Sequence, residues 1–281
     1  MRFTGFFLMV SSAITLQAAD SAALRHVAED YLAKKPAHGL ATGVSFDDAI
    51  SAQEEFVNLL KPKLGPVAGY KVGVVTEAGR KRFGINHPVR GFLLRDMLLP
   101  NKSKVPANFG FRPILEPDLV VTVKDEGLNH ATTMEQAARH LADIVAFIEL
   151  ADSTFATNAP FDVGIMVSAN VGARLGVLGE KRRVEATPEF LSAFGKMALV
   201  LKDGSGQELS RVTADGMMGH PMNPLLWFLE DSRKRGLKFK AGDVISLGSP
   251  SPQVVPQAGT TYTLIYEGLP GGPLTASVSI Q

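Results

Sequence analysis

The chain has 281 residues, 45% of them hydrophobic, a formal net charge of +1 and no cysteine. That apolar content supports a full core and excludes a disordered polymer. With a near-neutral charge and no basic tract, nucleic acid is not an expected partner, and the missing thiols exclude disulfides, thiolate metal sites and cysteine nucleophiles.

Met1-Arg2 is a short positive start, Phe3 to Leu16 is mostly apolar, and Gln17-Ala18-Ala19-Asp20 offers small residues for cleavage. This is the pattern of a bacterial secretory signal peptide cut near Ala18 or Ala19. Its apolar core is shorter than the roughly 20 residues of a bilayer span. The expectation is an exported, periplasmic protein with no membrane span after cleavage. Asp20 to Lys35 then shows helical spacing and stops before Pro36, and Ser45 with Asp48 opens a second helix whose apolar face includes Ile50, Phe56 and Leu60. Gly69 to Val75 reads as the first strand, and Thr76 caps a short helix ending at Gly84.

Leu115 to Val123 reads as a buried strand, β-branched and aliphatic, interrupted by Glu116 and Asp118. Side chains alternate along a strand, so these two carboxylates share a face. On an apolar strand they repel each other, lose hydration and need a cation. Asp143 to Asp152 is a second apolar strand and carries Glu149 near its end. Three carboxylates on adjacent strands would suit a hard divalent ion, Mg²⁺ or Mn²⁺. A solvated edge on a half-exposed strand explains the pair equally well.

Between these strands, Thr133 starts a helix with a capping box. Further on, Asp203 to Gly206 is a turn between strands, and Asn223-Pro224 caps a helix closed by Gly236. Asp243 to Leu247, Thr260 to Tyr266 and Thr275 to Ile280 are strand-like. Strands without regular βα alternation argue for an α+β fold.

Lys71, mid-strand between Gly69 and Gly73, is either a solvated residue or a cation aimed into a site. Asn170 lies among small residues, where its amide could meet a substrate carbonyl or simply make a turn. Ser249 follows a strand end. His220 is a weak candidate, Trp227 reads as core, and the six histidines show no metal-ligand spacing.

Taken together, Gly69-Tyr70-Lys71-Val72-Gly73, Gly91 to Met97, Glu116-Pro117-Asp118, Ile148 to Ser153, Asn170 to Gly179 and Ala241 to Ser249 resemble the fumarylacetoacetate hydrolase superfamily. The branch they resemble is that of the 2-oxopent-4-enoate hydratases and 4-oxalocrotonate decarboxylases. The resemblance runs from about Gly69 to the C-terminus. It implies a mixed β-roll with flanking helices, divided into a signal peptide (1–19), a helical lead-in (20–68) and a catalytic domain (69–281). It also implies a divalent ion on Glu116, Asp118 and Glu149, with Lys71 steadying an enolate. The implied reaction is hydration of a small 2-hydroxy-2,4-dienoate or 2-oxo acid. Decarboxylation of a 2-oxo diacid, hydrolysis of an acylpyruvate and a non-catalytic periplasmic binder are the alternatives, and a homo-oligomer is left open. Two departures stand out. Asp118 occupies a place where glutamate is usual, and Pro88-Val89-Arg90-Gly91 lacks the acid that several hydratases carry. Arg90 instead offers a cation for a second substrate carboxylate, with Asn170 and Ser249 as further substrate contacts.

Overall fold

A computed structural model describes residues 20–281, so the expected signal peptide, 1–19, lies outside the described residues. Helices α1 (Ser21–Ala33) and α2 (Phe46–Leu64) begin where their caps place them. Asp20 accepts from the amide of Ala22, and Ser45 accepts from that of Asp48. Then come β1 (Val67–Gly73), α3 (Glu77–Phe83), β2 (Val89–Leu94), β3 (Leu98–Pro100), β4 (Ser103–Val105) and β5 (Pro113–Val123). Next are α4 (Met134–Arg139), β6 (Leu141–Asp152), α5 (Val163–Ser168), β7 (Leu175–Arg183), α6 (Pro188–Lys196) and β8 (Ala198–Lys202). The chain ends with β9 (Glu208–Thr213), α7 (Met222–Lys234), β10 (Val244–Ser246), β11 (Thr261–Glu267) and β12 (Leu274–Ile280).

Two curled sheets form the body. One has the order β2-β1-β10-β5-β6-β7-β3, the other β4-β12-β11-β8-β9. Both mix parallel with antiparallel pairs, which agrees with the α+β expectation. Their facing sides share one core, and α1 and α2 pack into it through Leu24, Tyr31, Phe56 and Leu60. Tyr266 of the second sheet reaches into the first: its hydroxyl donates to the carbonyl of Asp118 and accepts from the amide of Phe147. Gln53, fully buried on α2, donates to the carbonyls of Arg90 (2.7 Å) and Val167 (2.8 Å), fixing that helix to β2 and α5.

Three details differ from the sequence reading. Helix α7 starts at Met222 without a side-chain cap, and Asn223 lies inside it, donating back to the carbonyl of Met218. Trp227 packs against the core yet stays half-buried, stacked on His87 with 7° between the planes. The region after Asp152, where the sequence points only to small residues around Asn170, holds α5, β7 and α6. No described helix is long and apolar enough to cross a membrane.

Candidate active site

Register brings the charged residues together. Lys71 on β1 sits opposite Ser246 on β10, Ser246 opposite Val120 on β5, and Glu116 on β5 opposite Glu149 on β6. Opposed residues share a face, and Val120 shares one with Glu116 and Asp118 by alternation. Four neighbouring strands thus carry Lys71, Ser246, Asp118, Glu116 and Glu149 on a single side of the sheet. Above it lies a cavity of about 470 Å³, lined by Lys71, Glu116, Glu149 and Ser249 and walled by Phe83, Phe155 and Phe161.

Each charged group has its own partner. The buried ammonium of Lys71 donates to Glu149 and, at 3.1 Å, to the carbonyl of Val171. Glu116 accepts from Gln253 at 2.7 Å. Asp118 is fully buried and accepts from the hydroxyl of Ser246 at 2.7 Å and from the amide of Leu119. Because the three carboxylates are turned to different donors, no group of three acidic or histidine side chains among the described residues stands closed around a metal position.

The electrostatics show what such a face lacks. Burial and the charge of Glu149 push Glu116 up to about 7, against the pull of Lys71. The same two causes hold Asp118 well above the ordinary carboxylate range. Burial would lower Lys71, but Glu149, Glu116 and Asp118 outweigh it, so the group sits above its ordinary value and stays an ammonium. One cation faces three carboxylates, and the remaining repulsion is what a second, divalent cation would relieve. The donors are all oxygens, as Mg²⁺ and Mn²⁺ prefer. In kind, charge and placement on the sheet, the residues fit such an ion.

The backbone around Lys71 is unusual. Asn170 and Val171 both have positive φ (60° and 54°), a region costly for a β-branched residue. Asn170 is held there by two bonds to β2, accepting from the amide of Phe92 (2.7 Å) and donating to its carbonyl (2.9 Å). That geometry aims the carbonyl of Val171 at Lys71. Gly91, opposite Lys71, leaves the space: a Cβ there would stand 3.0 Å from Lys71 Cγ and 3.1 Å from the Asn170 carbonyl oxygen.

Not every candidate faces the cavity. Arg90 is a correction. Its neighbour Gly91 takes the site side of β2, so Arg90 points to the opposite side, where it bonds Glu54 at 3.0 Å and lies 3.8 Å from Asp231. It is 1% exposed and has no route to a substrate in the cavity. Asn170 is a second correction, because its amide is fully buried and used on the backbone of Phe92, which makes it a clamp. Ser249 does line the cavity, though its hydroxyl already donates to the carbonyl of Pro117 at 2.7 Å. His220 bonds the carbonyl of Leu191 and the amide of Met222, a structural role. Ser246 and Gln253 were missed by the sequence reading. Ser246 had a visible signal as the lone hydroxyl in an apolar strand, whereas Gln253 sits in a loop with none.

No protein-family model matches the chain. Among curated proteins it is 26% identical over 216 residues to the 2-keto-4-pentenoate hydratase of Paraburkholderia phymatum, covering 76% of this chain and 78% of that one. Among solved structures it is similar to the 4-oxalocrotonate decarboxylase of Pseudomonas putida G7 complexed with magnesium and adipate (TM-score 0.79, 20% identity, 93% of this chain and 97% of that one). It is also similar to the fumarylpyruvate hydrolase of Pseudomonas aeruginosa in complex with Mn²⁺ and pyruvate (TM-score 0.52, 16% identity, 75% and 89%). In sequence the chain is similar to 2-keto-4-pentenoate hydratases, and its fold is similar to that of solved structures named for the fumarylacetoacetate hydrolase family.

Proposed function

We propose that the chain is a divalent-metal-dependent hydratase, a carbon–oxygen lyase acting on a small 2-hydroxy-2,4-dienoate or its 2-oxo form. The observation that carries this is the single sheet face holding Lys71, Glu116, Asp118 and Glu149 beneath an aromatic-walled cavity. Glu116, Asp118 and Glu149 would hold the ion, Mg²⁺ or Mn²⁺, which when bound supplies positive charge to an enolate. The magnesium, calcium and manganese in related structures support a divalent ion in kind. Lys71 is an ammonium at neutral pH, so its part is to donate a hydrogen bond to the developing oxyanion and not to remove a proton. Asn170 and Val171 hold that ammonium in place, and buried Phe155 walls the cavity with an apolar ring. Hydration places a hydroxyl on one carbon of the double bond and a proton on its neighbour.

One observation favours a second reading. Pro88-Val89-Arg90-Gly91 carries no acid, unlike several of the hydratases it resembles, and Arg90 faces away from the cavity. Decarboxylation of a 2-oxo diacid needs no water-activating base: carbon dioxide leaves, its bonding pair enters the enolate, and that carbon is then protonated. The purified protein with Mg²⁺ or Mn²⁺, given dienoic monoacids and 2-oxo diacids, separates the two by loss of dienol absorbance against release of carbon dioxide. Absence of both, with chelator making no difference, would overturn the enzymatic reading in favour of a binder.

The division into a lead-in (20–68) and a catalytic domain (69–281) belongs to the same proposal. So does export, which the positive, apolar and small-residue order of 1–19 supports. N-terminal sequencing of the native protein should begin near Ala19 or Asp20, in the periplasmic fraction. An intact Met1 on the active form would overturn export.

A further inference from the structure

Besides Lys71, the cavity is lined by one other cation, Arg82, at its exposed rim on α3. Its two basic neighbours on that helix are engaged. Arg80 donates to the carbonyl of Val75 at 2.6 Å, and Lys81 pairs with Glu77 at 2.6 Å. Arg82 has no carboxylate or hydrogen-bond partner among the described residues, and its guanidinium lies 5.9 Å from the centre of the Phe83 ring. Phe83 in turn meets Phe161, which is 48% exposed, at 6.4 Å in an edge-on contact. The carboxylates at the inner end of the cavity are opposed by Lys71, so the two ends have different chemistry. The inner end takes a 2-oxo acid head with a metal, and the rim offers a guanidinium beside flat apolar rings.

We propose that the rim formed by Arg82, Phe83 and Phe161 is a subsite for the far end of the substrate, and that this end bears a carboxylate. Resting on the metal-site reading above, the inference narrows the substrate class to a 2-oxo or 2-hydroxy-dienoic acid with a second, distal carboxylate. Its conjugated middle lies against the Phe83 and Phe161 rings, and its distal carboxylate takes the paired N–H donors of Arg82. Because Arg82 is exposed, the attraction is screened by salt.

Calorimetric titration of the full chain with Mg²⁺ present tests this using two stable acids of equal length, 2-oxoadipate and 2-oxohexanoate. The expected result is a preference for 2-oxoadipate of about tenfold or more, shrinking as sodium chloride is raised. Arg82→Ala removes the preference by weakening the diacid alone, Arg82→Lys keeps part of it, and Arg82→Glu reverses it. Equal affinity of the two acids in the unaltered protein, or equal weakening of both by Arg82→Ala, overturns the subsite while leaving the metal site standing. Failure of either acid to bind, with or without Mg²⁺, overturns both readings together.

Discussion

The two sides of the β1–β2 ribbon each carry a cluster of charges, and the clusters are built differently. On the back, Arg90 pairs with Glu54 and faces Asp231, Arg235 bonds Asp231 and Asp47, and Gln53 ties the backbone down. Cations and carboxylates there interleave, two guanidinium groups against three carboxylates. On the front, one ammonium meets three carboxylates, and two of these are driven up by burial and by the third. A balanced buried network braces a fold; an unbalanced one holds a place for a charge the chain does not supply. What separates brace from site is the balance of charge together with its setting: Glu54 and Asp47 on the back reach water, whereas Lys71, Asp118 and Glu149 on the front are buried.

The comparison is broken most directly by deleting a cation on each side. Arg90→Met removes one of the two cations at Asp231 and leaves Arg235 bonded to it at 3.0 Å, so it should cost less stability than the about 3–5 kcal/mol of a buried pair broken outright, the more so because Glu54 is half in water. Denaturant melts measure it, and the metal-bound protein that remains folded should keep near-normal turnover. Lys71→Met should do the reverse. It should fold and bind metal, while turnover falls roughly a hundred- to thousandfold, or about 2.7–4 kcal/mol at a developing oxyanion. If Lys71→Met is kinetically normal on the true substrate, Lys71 has no chemical role.

Metal affinity sharpens the same contrast. With Glu116 pushed up to about 7 and Asp118 raised as well, protons compete with the ion. Mg²⁺ affinity should therefore fall as pH drops below about 7, by about tenfold per unit for each proton displaced. Titrations at pH 6, 7 and 8 check this, and a flat profile would mean that the carboxylates are already free of protons. The smallest effect is expected at Val171→Gly. Relief of a left-handed conformation worth about 1–2 kcal/mol is offset by about 0.5–1 kcal/mol of added backbone freedom together with the lost packing of the buried valine side chain against Val89 and Val167. Melting temperature should hardly move, while turnover drops severalfold because the carbonyl aimed at Lys71 is loosened.

Much of the front cluster was legible because strands repeat every two residues. Glu116 and Asp118 had to share a face, and the apolar run holding Glu149 had to be a strand. The same rule, applied to Gly91, would have turned Arg90 away from the site; the family resemblance hid this by offering Arg90 as a cation for a second substrate carboxylate. Asn170 was not readable, since its partner Phe92 is a long-range contact and left-handed backbone at Asn170-Val171 has no reliable sequence mark. Helix α6, by contrast, carried a signal in Thr187-Pro188, a cap followed by proline in the first turn. Strand β7 was obscured by the charged run Glu180 to Arg183, which lies along its exposed end.

Strand β10 wedges between β1 and β5, parallel to the former and antiparallel to the latter. The central rung of the site is therefore made by a segment near the end of the chain inserted between two from its first half. A partly folded chain can pair β5 with β6 early, as a near neighbour in sequence, but it cannot complete the Lys71–Ser246–Asp118 row until the C-terminal third has collapsed. Closing so long a loop before its contacts form slows folding. It also means that Asp118 remains hydrated and ionised through most of the process and is desolvated in one of the last steps. The energetic cost of burying unbalanced charge thus falls after most of the hydrophobic core is available to bear it.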